Sequence, residues 1–194
     1  MKTLCHSIDN GYLFTKDNER RIFKSAFTTE ASDLSNASTI TIDGTNYTVG
    51  VGTTTVDTNK ITSDTNKVCT LMNLAMTGNV EYFLVVGLPI GQFKEQKESL
   101  KENIMSYNSS EIIYRNEAYK PQIKDVLVFP QGSAALLSEP NLTDGDFIVL
   151  DIGGLTIDAT YIRISNGNPI MLQYDTWFNG MQKLYSDVIG EVNN

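Results

Sequence analysis

One pattern occurs twice in this chain, far apart: an apolar strand, an aspartate, a glycine turn and a second strand. The first copy is Asp9-Asn10-Gly11-Tyr12-Leu13-Phe14-Thr15-Lys16, and the second is Asp151-Ile152-Gly153-Gly154-Leu155-Thr156-Ile157-Asp158. A glycine turn can aim successive backbone N–H groups at one anion. The aspartate before it can hold a hydrated divalent cation, since Mg²⁺ keeps most of its waters and prefers a few carboxylates plus phosphate oxygens. Lys16 adds a point charge for a phosphate. Two such turns make a clamp for a nucleotide polyphosphate. Either turn alone also reads as a plain hairpin connector; the pair, in this order across an α/β stretch, is far more specific.

Composition narrows the remaining classes. The 194 residues, 41% of them hydrophobic, suffice for one sizeable domain, or one domain plus a piece of another. The formal charge of −8 argues against general binding to nucleic-acid backbone or anionic lipid, which needs a basic face. No apolar stretch approaches the roughly 20 residues of a membrane span. Two cysteines, Cys5 and Cys69, are too few for a disulfide scaffold or a four-ligand zinc site. His6, the only histidine, neighbours Cys5, but adjacent strand residues point to opposite faces, so a structural role is expected. Met1-Lys2 leads into a polar-interrupted strand rather than a signal sequence, and a cytoplasmic location is expected.

Between the two motifs the pattern is mixed. Strands are expected over Thr3–Asp9, Leu13–Lys16 and Arg21–Ala26, with Gly11 free to take positive φ in the first turn. Ser38–Ile42 and Asn46–Val51 flank Asp43-Gly44, a strong hairpin signal. Gly52–Asp64 is Thr-rich and expected to be exposed. Asp64 is a candidate cap for a helix from Asn66 to Met76 with Val68, Leu71, Met72 and Ala75 on one face. The apolar run Tyr82–Leu88 reads as a central strand buried on both sides. Helices are expected over Phe93–Tyr107, Gln131–Leu137 and Gly180–Val192. Glu111–Tyr114, Gln122–Phe129, Phe147–Ile152, Thr156–Ile164 and Met171–Trp177 read as strands, and Gly167, Gly180 and Gly190 stand singly, none of them in a Gly-rich segment.

With these motifs in place, the chain resembles the actin, sugar-kinase and heat-shock-chaperone superfamily. It is most similar to bacterial actin-like plasmid-partition ATPases of the ParM/StbA type. DNGYLFTK resembles that family's first phosphate motif and DIGGLTID its second. VVGLPIGQF and FPQGSAALL resemble the connecting segments, and FNGMQKLYSDVIGEVN the helix after the second motif. The resemblance implies an α/β, ribonuclease-H-like lobe with a mixed five-stranded sheet flanked by helices over residues 1–148. Residues 149–194 would then be the opening strands and helix of a second lobe whose remainder is absent. It implies that Asp9 and Asp151 organise Mg²⁺ through water. Asn10, Gly11, Tyr12, Lys16, Gly153, Gly154, Leu155 and Thr156 would approach the phosphates of ATP or GTP. Gln131, opening a small-residue helix, would place the attacking water as an orienting group rather than a base. Asp158 would support the site or face solvent. Self-association into filaments and a DNA-bound adaptor protein are the implied partners, with no direct contact to nucleic acid or membrane. Two other readings stand beside this one: a non-catalytic adaptor fragment, and a small-molecule kinase of the same superfamily.

Overall fold

The computed structural model describes residues 3–30, 38–52, 59–78, 80–132, 134–137, 139 and 142–192. The chain divides into two compact units, one of Met1–Gly87 with Gln96–Val128, the other of Leu88–Glu95 with Phe129–Asn194. In chain order the elements are β1 (Thr3–Asn10), β2 (Phe14–Asp17), β3 (Ile22–Lys24), β4 (Phe27–Thr28), β5 (Ser38–Ile42), β6 (Thr45–Val49) and α1 (Asp64–Thr77). There follow β7 (Glu81–Leu88), α2 (Ile90–Ser106), β8 (Ile112–Tyr114), β9 (Glu117–Tyr119), β10 (Gln122–Pro130), α3 (Ala134–Leu137), β11 (Gly145–Ile152), β12 (Ile157–Ser165), β13 (Asn168–Trp177) and α4 (Met181–Val192).

Two five-stranded sheets organise the first unit. The mixed sheet has the order β10-β7-β1-β2-β3, with β1 parallel to β7 and antiparallel to β2. The other sheet, β4-β6-β5-β8-β9, is antiparallel throughout. Tight turns set its register. Asp43 and Gly44 (φ 50° and 82°) and Arg115 and Asn116 (φ 52° and 65°) put two successive residues at positive φ, the arrangement that matches the twist of a two-residue hairpin. The expected fold class, a mixed five-stranded sheet with helices, is what the structure has.

Helix α1 touches β1 of the mixed sheet and β6 and β8 of the other, so it is buried nearly all round. Its apolar residues Val68, Leu71, Met72 and Ala75 join Ile8, Ile40, Leu84, Leu100 and Ile112 in the core. Its polar residues form a second stripe: Asn66, Thr70, Asn73 and Thr77 recur at helical spacing, and each bonds to the β1–β2 hairpin or the strand entry beyond it. Buried polar groups need partners, and here the partners are the first Asp-Gly hairpin.

The second unit carries the antiparallel sheet β11-β12-β13. Asp151 pairs across the ladder with Asp158, and Asn166-Gly167 (φ 51° and 73°) turns β12 into β13. Ile162 and Ile164 are buried, while Ile148, Leu150 and Ile152 on β11 and Leu184, Tyr185, Val188 and Ile189 on α4 are exposed.

Several expectations are corrected. Gly11 is not at positive φ; glycine is needed there because a Cβ would lie 2.8 Å from the Phe14 carbonyl oxygen. The α1 cap is Ser63, whose Oγ accepts from the Asn66 N–H at 3.4 Å, not Asp64, which is the first helical residue. Strand β7 is buried on one side only: Tyr82, Leu84 and Val86 are buried but Phe83 is about half exposed, because the strand is covered on one face. The segment before α1 is not wholly exposed, since Lys60 and Ser63 are buried; residues 53–58 of that loop lie outside the described residues. Gln131 and Gly132 form a turn and α3 starts at Ala134, because Gly132 at φ +82° lies outside helical space.

Candidate functional site: two aspartate–glycine hairpins

The first hairpin lies in the first unit and has two chemically different faces. Strand alternation sends His6, Ile8 and Asn10 toward α1 and leaves Asp9 on the other face. Asp9 lies directly across the ladder from Lys16, and both are exposed. The inward face is tied down. The Asn10 Nδ2 donates to Asn66 Oδ1 (2.5 Å) and Thr70 Oγ1 (2.8 Å), and its Oδ1 accepts from Thr15 Oγ1 (3.2 Å). With its carboxamide held by α1, what Asn10 offers a ligand is backbone. The outward face is where Asp9 and Lys16, two of the expected site residues, stand together.

Tyr12 sits at the tip of this turn with the Lys60 Nζ 5.2 Å from its ring centroid, within cation–π range. Gly11, Tyr12, Lys60, Thr65, Asn66 and Cys69 help to line a small cavity of about 30 Å³, room for a water molecule. Sequence reasoning did not single out Lys60; its position just before a capped helix is the only signal it offered. Burial pushes the Cys69 thiol up to about 11, against a weaker opposing hydrogen bond with Thr15, so it is not a thiolate at neutral pH.

The second hairpin lies in the second unit. The Gly153 N–H donates to the Thr156 carbonyl (2.8 Å), closing the turn. Helix α4 then docks onto it end-on. Gly180 N–H donates to Leu155 O (3.0 Å), Met181 N–H to Gly153 O (3.0 Å) and Gln182 N–H to Gly154 O (2.9 Å). The leading amides of a helix lack intrahelical partners, and here three turn carbonyls supply them. The approach requires glycine: a Cβ on Gly180 would lie 2.6 Å from the Leu155 carbonyl carbon and 2.7 Å from the Gly153 and Gly154 oxygens. Gly180 is thus a site residue that sequence reasoning missed. The signal was a glycine at the start of an amphipathic pattern, where a cap residue is expected.

This docking orients the turn. In a trans peptide the C=O and the following N–H point in opposite directions, and the chain has no cis peptide bond. With the carbonyls of Gly153, Gly154 and Leu155 turned toward α4, the N–H groups of Gly154, Leu155 and Thr156 turn away from it. Three successive donors of this kind suit an anion. Asp151 is the last residue but one of β11, just before them, opposite Asp158, which is buried. Asp158 accepts from Thr156 Oγ1 (3.1 Å) and Thr176 Oγ1 (2.5 Å). A Cβ on Gly132 would lie 3.8 Å from Asp151 Cβ, so the Gln131-Gly132 turn packs beside the aspartate. Gln131 itself is half-buried, with its N–H given to Leu88 O at 2.7 Å.

Residues 7–133 match the family model of the N-terminal domain of actin-like proteins. The chain belongs to that family. Among solved structures, the fold is similar to Ta0583, an archaeal actin homologue in complex with ADP, at 21% identity and a TM-score of 0.76; 95% of this chain and 63% of that one are covered. It is similar to the apo pSK41 ParM protein at 15% identity and TM-score 0.72, covering 100% and 72%. It is also similar to the AlfA filament from a B. subtilis plasmid, pLS32, at 18% identity and TM-score 0.67, covering 93% and 73%. The actin-like chain spans less than two thirds of the archaeal protein and about seven tenths of the other two. No curated protein sequence matches it significantly. No helix among the described residues is long and apolar enough to cross a membrane.

The donor set of the second hairpin bears on Mg²⁺. Among the described residues no three His, Cys, Asp or Glu side chains converge as a cage for a bare ion. A carboxylate at a strand end, beside outward-facing amides, fits instead an ion that keeps its water shell and shares it with phosphate. Asp151 is the residue that would hold it there, and Asp9 occupies the same place in the first hairpin.

Proposed function

We propose that this actin-like chain binds and hydrolyses Mg-ATP, or GTP in its place, through its two aspartate–glycine hairpins, and that nucleotide drives its assembly into filaments for plasmid segregation. The observation that carries this reading is the docking of α4 on the second turn, which leaves three successive amides facing away from the helix. The names of the similar proteins support it: one is an archaeal actin homologue complexed with ADP, and another a filament from a plasmid. The lobe assignment follows the same reading, with residues 1–148 as the first lobe and 149–194 as the opening of the second.

Each residue then has a task. The backbones of Asn10, Gly11 and Tyr12 and the N–H groups of Gly154, Leu155 and Thr156 bind phosphate oxygens, Gly153 shapes the second turn by giving its own N–H to the Thr156 carbonyl, and Lys16 adds a positive charge. Asp9 and Asp151 hold the ion through its waters. Mg²⁺, when bound, offsets the charge of the phosphates. Gln131 holds the attacking water in line with the terminal phosphorus; an amide is no base at neutral pH, so its contribution is orientation. Self-association and a DNA-bound adaptor protein are the partners in this reading, without direct nucleic-acid or membrane contact, in the cytoplasm.

Sedimentation with and without Mg-ATP tests assembly: the chain is expected to pellet only with nucleotide. Asp151→Ala is expected to weaken Mg-ATP binding by ~10–100-fold, and Gln131→Ala to slow phosphate release by ~100-fold. Nucleotide-independent pelleting, or an Asp151→Ala variant that binds as wild type, would overturn the proposal.

A further inference from the structure

The second hairpin carries a buried carboxylate whose partners are two hydroxyls. Asp158 is 5% exposed, and among the described residues no Lys, Arg or His forms an ion pair with it. It stands directly across the ladder from Asp151, so the two acids share one face of the sheet. A carboxylate only accepts, so both contacts fix the direction of a hydroxyl: Thr156 donates its one hydrogen to Asp158 Oδ2 and Thr176 donates to Oδ1. The Thr156 oxygen is left with lone pairs only. That oxygen lies beside the turn, 3.8 Å from where a Cβ on Gly153 would be.

A hydroxyl that has given away its hydrogen repels a phosphate oxygen and attracts a donor. The strongest donors in such a site are waters polarised by a divalent cation. The hairpin is therefore divided by chemistry: the amides of residues 154–156 are donors, and Asp151, Asp158 and the Thr156 oxygen are acceptors. We propose that Asp158 is a positioning residue which, by taking the Thr156 hydrogen, reserves the Thr156 oxygen for a water of a hydrated Mg²⁺ held at Asp151 rather than for phosphate. This rests on the phosphate site proposed above and moves the Thr156 hydroxyl from the phosphates to the shell of the ion.

The test is calorimetry of the whole chain with ATP, once in excess EDTA and once in Mg²⁺. Wild type is expected to gain at least ~10-fold in affinity from Mg²⁺, and Asp158→Asn to lose ~10-fold of that gain while metal-free ATP binding stays within about twofold. Thr156→Val should lose the gain as Asp158→Asn does, Thr156→Ser should keep it, and the double variant should be no worse than either single one, because both remove one interaction. If Asp158→Asn does not fold by circular dichroism, the Thr156→Ser and Thr156→Val pair decides by itself. Equal weakening of metal-free and Mg²⁺-bound ATP, or additive effects in the double variant, overturns the positioning role. A wild type that binds ATP equally well with and without Mg²⁺ overturns this inference alone; one that binds ATP in neither condition overturns the phosphate site as well.

Discussion

Asp17 ends β2 with its carboxylate out of solvent and four groups aimed at it. Arg21 donates its backbone N–H (2.9 Å) and its Nε (2.5 Å), Glu19 its N–H (2.9 Å) and Asn73 its Nδ2 (3.0 Å). Asn73 turns its oxygen to His6 Nε2 at 2.6 Å, which puts the imidazole hydrogen on Nε2. His6 is thus structural, as its strand position beside Cys5 predicted. Burial raises the Asp17 pKa, but the Arg21 N–H and guanidinium, the Asn73 amide and the Arg21 charge together outweigh it and hold the carboxyl below its ordinary value. A lowered folded value stabilises the protein above the unfolded value and is lost as pH falls through the folded one. Asp17→Asn is expected to cost ~2 kcal/mol at neutral pH and to flatten the decline in melting temperature below about pH 4. Melting curves that stay parallel for variant and wild type across that range would remove this account. The sequence could not show the Asn73 pairings, because Asn73 lies 56 positions from Asp17 and 67 from His6.

Helix α4 shows how one helix asks opposite things of two glycines. Gly180 meets three backbone atoms of the second turn, and backbone cannot move aside as a side-chain tip can. Gly190 has open space where a Cβ would go. Gly180→Ala is therefore expected to destabilise by ~1–3 kcal/mol and to weaken nucleotide binding, since the turn amides lose their orientation with the docked helix. Gly190→Ala is expected to be neutral or to stabilise by ~0.5–1 kcal/mol. Thermal melts of both variants with nucleotide titrations check the pair; equal effects at the two positions would be inconsistent with end-on docking. The amphipathic stripe of α4 was legible as a repeat of Met181, Leu184, Tyr185 and Ile189. Which glycine mattered was not, because that depends on what the helix end meets. Helix α1 teaches the same lesson: its apolar positions were plain, but the polar stripe Asn66, Thr70, Asn73 and Thr77 has meaning only against the hairpin it holds.

Across the whole molecule, buried apolar residues are concentrated in the first unit, from Ile8 and Leu84 to Ile112 and Val126, while strand β13 and helix α4 expose most of theirs. Opening free energy follows buried contacts, so hydrogen exchange is expected to be slowest over residues 4–8 and 82–86. Exchange over residues 170–177 and 183–191 should be faster by ~10-fold or more. Mass spectrometry of exchanged peptides reads this directly, and uniform protection across both units would contradict it. By itself the sequence determined the local elements and the two motifs. Alternation, helical period and turn residues act over a few positions, so strands, helices and the Asp-Gly turns could be read from neighbours in the chain. The tertiary structure alone decided that Gly180 caps the second turn, that Lys60 sits under Tyr12, and that Asp158 is buried with its charge answered by two threonines. Those facts depend on which segments meet in space, and burial and hydrogen-bond direction exist only once they have met.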